Sequence, residues 1–127
     1  MSADTSPAPC RHCKSGPETF RYYALCEFDV DAARQLTADG RAPVEVDDES
    51  VRQTMDGLRL VTEHIDHVDP RFPGIIAHVS CPDGTGETQR GHVLIDGNHR
   101  AARCLRDGLP FFAYLLTEPE SEAVLVR

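Results

Sequence analysis

The chain has 127 residues, with 13 Lys and Arg against 21 Asp and Glu and a formal net charge of −8. This length suits a single hydrophobic core, since two halves of about 60 residues would each be marginal, and the acidic balance argues against a domain that holds DNA by neutralising phosphates. The opening residues lack a basic start followed by an apolar block, and no window approaches the roughly 18 apolar residues of a membrane span, so a soluble, cytoplasmic protein is expected.

Residues 1–18 are rich in Ser, Pro, Ala and Thr and read as a loosely ordered leader, leaving 19–127 as the folded domain. Cys10 and Cys13 bracket His12 in a Cys-x-x-Cys, the spacing of a metal or redox pair, but no second such pair follows. The odd total of five cysteines favours reduced thiols over a disulfide framework. From Phe20 to Phe28, alternate apolar and aromatic positions predict a strand. Asp29 or Asp31 caps a short helix through Ala32, Ala33 and Leu36, which Gly40 is expected to end. Pro43–Val46 reads as extended. Asp47 and Asp48 offer caps to a second and longest helix, along Val51, Met55, Leu58, Val61 and Ile65. Glu63, His64 and His67 close that helix; two histidines three apart suit zinc, but without a third ligand they read as cations at a helix C-terminus.

Pro70 and Pro73 stop the helix, and Gly74–Val79 forms a short apolar run suited to a buried strand. Pro82–Gly86 supplies turn residues, and His92–Ile95 is the returning strand, so His78 and His92 face each other across a hairpin and read as structural. The loop Gly84–Thr88 lacks the Gly-Lys-Ser/Thr ending of a phosphate cradle and reads as the hairpin tip. A helix follows along Ala101, Ala102, Cys104 and Leu105, ended by Gly108 and Pro110. A strand over Phe111–Leu116 and a helix starting at Thr117-Glu118-Pro119-Glu120 complete the pattern. The expected fold is α+β, one domain with a small mixed sheet flanked by helices.

The segment Val93-Leu94-Ile95-Asp96-Gly97-Asn98-His99-Arg100-Ala101-Ala102-Arg103 carries the most chemistry. An apolar strand runs through a Gly-containing turn into an Ala-rich helix, so unpaired amides and the positive end of the helix dipole meet at the turn, with Arg100 as a forked donor and His99 as a further one. Asp96 suits three roles: holding a metal-bound water, orienting His99, or capping the helix. Arg103 and Arg106 follow on roughly the flank of Arg100 and either widen the basic spot or meet surface carboxylates.

Residues 72–116 resemble the ParB/sulfiredoxin superfamily, through Ile95-Asp96-Gly97-Asn98-His99-Arg100-Ala101-Ala102 together with Phe72-Pro73-Gly74-Ile75-Ile76 upstream and Gly108-Leu109-Pro110-Phe111 downstream. The resemblance implies a nucleotide-binding domain, with Asp96, Gly97, Asn98, His99 and Arg100 holding the phosphates. Sulfiredoxins place their reactive Cys where this chain has Asn98, and an amide is no such nucleophile; Cys104 reads as a small packing residue. No helix-turn-helix reader of the chromosome-partitioning branch fits, so DNA binding is not expected. The branch of free-serine kinases implies phosphoryl transfer from ATP or ADP, with magnesium, to a small hydroxyl compound. Asp96 and His99 then belong to the reacting site, and Glu45 or Glu49, in the acidic run before the second helix, supplies the base. The competing expectation is a non-catalytic, nucleotide-dependent binding or regulatory module acting with a protein partner.

Overall fold

A computed structural model describes residues 18–22, 26–55, 65, 68, 69, 71–82 and 85–126. The expected leader with Cys10 and Cys13, and the continuation of the second helix through Leu58 and Val61 with Glu63, His64 and His67, lie outside the described residues. Instead of one strand over Phe20–Phe28 there are two antiparallel ones, β1 (Thr19–Tyr22) and β2 (Cys26–Asp29), with Phe20 opposite Phe28. A period-two pattern is equally satisfied by pairing with itself, and the pairing sets both aromatics against the same core.

Helix α1 (Val30–Thr37) starts where the Asp29 carboxylate accepts from the Ala32 amide at 3.0 Å. It ends at Ala38, not Gly40; Gly40, with φ +90°, serves the bend that follows. Then come β3 (Val44–Val46), α2 (Asp48–Met55), β4 (Gly74–Pro82), β5 (Thr88–Asp96), α3 (Asn98–Asp107), β6 (Phe111–Leu115) and α4 (Glu118–Ala123). Helix α4 opens with a full capping box: Glu120 N–H donates to Thr117 Oγ1 at 3.2 Å, and Thr117 N–H donates to the Glu120 carboxylate at 2.9 Å. A short last strand, β7 (Leu125–Val126), is absent from the sequence expectation.

The strands form two sheets rather than one. The first, β1-β2-β7, is antiparallel; the second, β3-β6-β4-β5, is mixed, with β4 and β6 parallel and its other pairs antiparallel. The second sheet buries both faces, and each carries its own apolar cluster. On one face Ile75, Ala77, Val79 and Ile95 meet Phe28, Ala33 and Val124, from the first sheet, α1 and the end of α4. On the other face Leu94, Phe111 and Ala113 meet Val51 of α2 with Ala101 and Cys104 of α3. Burial raises the Cys104 thiol pKa, in keeping with a packing residue. Cys26 is disulfide-bonded to a cysteine outside the described side chains, which corrects the expectation of reduced thiols at that position.

Candidate functional site

The site forms where β5 leaves the sheet. Along β5, Leu94 faces the α2–α3 layer and Ile95 the α1 layer, so regular alternation would send Asp96 back toward α2 and α3. The ladder is irregular here: Ile76 pairs with Leu94, but Ile75 pairs with Asp96. This bulge leaves two β5 residues against one step of β4 and re-aims Asp96 into the α1 layer. Gly97 then takes φ +95°, and α3 begins, its ladder opening with Ala101 N–H donating to Gly97 O at 2.8 Å. A Cβ on Gly97 would lie 2.9 Å from Gly74 Cα and 3.0 Å from Arg100 Nη2, so the close approach of β4 also demands glycine.

Asp96 is only 8% exposed. Arg34, from α1, grips it bidentately, Nε to Oδ2 at 3.0 Å and Nη2 to Oδ1 at 2.9 Å. These contacts raise the Arg34 pKa against the opposing effect of burial. Glu18 at 2.8 Å and Asp31 at 3.6 Å hold the outer side of the same guanidinium. Arg100 folds back over Gly97: its Nη2 donates to Pro73 O at 3.1 Å and stands 3.3 Å from Asp96 Oδ2. Among the described residues the buried Arg100 Nε has no acceptor and the buried Asn98 Oδ1 has no donor, while Asn98 Nδ2 donates to Leu94 O at 3.0 Å. A charged donor held this way keeps hydrogen-bonding capacity that its surroundings do not use.

Of these groups Arg34, Asp96 and Arg100 line an open cleft of about 330 Å³, together with Pro73, Phe72 and Tyr114. Phe72 is 62% exposed, an aromatic ring at the mouth. The named walls carry two guanidiniums and one carboxylate; Glu18 and Asp31 also meet Arg34, so Arg100 is the cation that keeps an unmatched donor toward a ligand. Such a cleft suits an anion with a flat or apolar part.

Of the five expected residues Asp96 and Arg100 line the cleft; Gly97 packs against Gly74, Asn98 turns its amide to Leu94 O, and His99 lies in the first turn of α3, so these three are not among its lining residues. The structure separates the two acidic candidates. Glu45 stands opposite Phe112 on the exposed edge strand β3, on the sheet face that also carries Tyr114, but it does not line the cleft. Glu49 lies in the exposed first turn of α2, in the layer on the opposite face of the sheet. Arg103 and Arg106 turn to Asp107, at 3.4 and 2.9 Å, and Arg103 also donates to Val68 O at 3.0 Å, so neither is among the cleft's lining residues.

Sequence reasoning missed Arg34 and Tyr114. The one available signal was the phase of α1: with Asp29 as cap and Val30, Ala33 and Thr37 inward, Arg34 falls on the flank beside the buried face. The class these features define is an α+β domain with an arginine-lined cleft at a strand-to-helix corner. Comparison with family models, curated proteins and solved structures finds no match to any of them. No helix among the described residues is long and apolar enough to cross a membrane.

Proposed function

We propose that the cleft binds a phosphate-bearing small molecule, a nucleotide such as ATP or ADP, in a domain of the ParB/sulfiredoxin-like kind. The observation that carries this reading is Arg100, which lines the cleft beside the N-terminus of α3 with Nε buried and unmatched by any described acceptor. Asp96 and Pro73 O orient its guanidinium, and Phe72 and Tyr114 offer ring surface for a base. The volume, near the lower end for ligand pockets, favours one nucleotide over a dinucleotide.

Magnesium does not fit at Asp96 as it stands, because guanidinium groups meet both carboxylate oxygens. Phosphate charge is met in this cleft by arginine. Binding without turnover is therefore the reading the site supports best. Phosphoryl transfer to a small hydroxyl compound is the second reading, and it rests on Glu45, which shares the sheet face of Tyr114.

Calorimetric titration with ATP, ADP and inorganic phosphate tests the first. Arg100→Ala is expected to weaken binding by about 1.5–3 kcal/mol while leaving the fold intact, and unchanged affinity removes Arg100 from the site. Nucleotide turnover in a metabolite mixture that Glu45→Gln suppresses without loss of binding would establish the second reading. No turnover leaves a binding module.

A further inference from the structure

We propose that His78 and His92 form a two-imidazole site for a borderline divalent metal ion, away from the cleft. The two residues are directly opposed on the antiparallel β4–β5 ladder, and their ring centroids are 4.5 Å apart with planes tilted by 53°. They lie on the face of the sheet that carries Ile76 and Leu94. His92 is exposed and His78 half-buried, so an ion reaches the pair from solvent.

Two features favour a metal over simple ring packing. Among the described residues neither imidazole has a hydrogen-bond or ion-pair partner; the backbone N–H of His78 donates to Ser121 Oγ at 2.9 Å. A half-buried imidazole kept for structure, such as His78, normally spends a ring nitrogen on a fixed partner, whereas the exposed His92 ring meets water. The spacing also suits chelation. Two imidazole nitrogens on one ion, each at about 2.0–2.1 Å, stand roughly 3.4 Å apart at a tetrahedral angle. The ring centroids, 4.5 Å apart, lie close to the Cβ–Cγ axes, so turning either ring about that bond changes the N···N distance while the backbone stays in place.

Imidazole nitrogen selects Cu²⁺, Zn²⁺ and Ni²⁺ over Mg²⁺ and Ca²⁺, with Cu²⁺ bound most tightly. No group of three or more metal-ligating side chains is present among the described residues, so the proposed ion has two protein ligands, with water in the other positions. The site is thus open, with positions for an exogenous ligand.

The test is titration of the full-length protein with Cu²⁺, Ni²⁺ and Zn²⁺, followed by calorimetry and by NMR of the histidine Hε1 protons. Ni²⁺ is expected to broaden the His78 and His92 resonances together. His92→Gln, at an exposed position, and His78→Gln are each expected to abolish one metal equivalent or weaken it at least tenfold. Binding at the Cys10–Cys13 segment would be indifferent to both substitutions. Unaltered stoichiometry and affinity in His92→Gln, or broadening confined to other histidines, overturns the proposal.

Discussion

Replacing Asp96 with Asn pulls stability and ligand affinity in opposite directions. The wild-type carboxylate accepts two hydrogen bonds from Arg34 at 2.9 and 3.0 Å and lies 3.3 Å from Arg100 Nη2. An amide keeps one acceptor and turns two N–H donors toward guanidinium donors. Loss of charge-assisted bonds costs about 1.5–3 kcal/mol each when both partners are buried, but Arg34 is 43% exposed and regains water, so a net loss of about 2 kcal/mol is expected. That corresponds to a Tm drop of about 6–10 °C. The ligand responds the other way. A phosphate on the far side of the Arg100 guanidinium lies roughly 6 Å from the carboxylate, where repulsion is about 3 kcal/mol at an effective dielectric of about 20. In an open cleft with salt about half survives, so Asp96→Asn is expected to tighten phosphate binding about tenfold. Thermal unfolding and calorimetry on the same samples read both effects. Unchanged Tm refutes the buried ion pair; weaker binding refutes the repulsion argument and makes the hold of Asp96 on Arg100 the larger effect.

Gly97→Ala forces φ +95° on an L side chain and puts its Cβ 2.9 Å from Gly74 Cα, so urea unfolding should show a loss of about 2 kcal/mol or more. Thr117→Ala removes half of the α4 capping box and should cost about 1 kcal/mol by the same measurement. Arg41 joins the α1 end to α4: it pairs with Asp39 and Glu120 and donates to the carbonyls of Leu36 and Leu115, which holds both carboxyl pKa values down to about 2. Their unfolded values lie near 4, so the contribution of these groups is complete above that pH and is lost as pH falls from about 4.5 to 2. Urea midpoints between pH 7 and 2.5 should therefore fall more steeply for the parent than for Arg41→Ala, and parallel curves would refute the assignment.

The β5–α3 corner was legible in the sequence because its causes are local. An apolar run, a glycine able to adopt positive φ and a small-residue helix face are all set within a few residues, as are the Asp29 cap, the Thr117 capping box and the Gly108 stop. Local pattern also misled: alternation over Phe20–Phe28 does not distinguish one long strand from two paired short ones, since Phe20, Cys26 and Phe28 share a face either way. The two residues of β7 carried too little pattern to read as a strand, and their place beside β2 comes from tertiary pairing.

What the sequence by itself determined is thus the α+β alternation, most element positions and the presence of polar groups at one turn. What only the tertiary structure decided is which way those groups face and what meets them. The bulge opposite Ile75 swings Asp96 into the α1 layer, and Arg34 arrives there from 62 residues earlier in the chain. Nothing near either residue encodes that meeting. It follows from how α1 seats its Val30, Ala33 and Thr37 face, and from strand β6 inserting parallel to β4, which brings Tyr114 to the cleft. Side-chain chemistry is a property of the residue, but an ion pair or a cleft is a property of distance, and distance between remote segments is set only when the core closes.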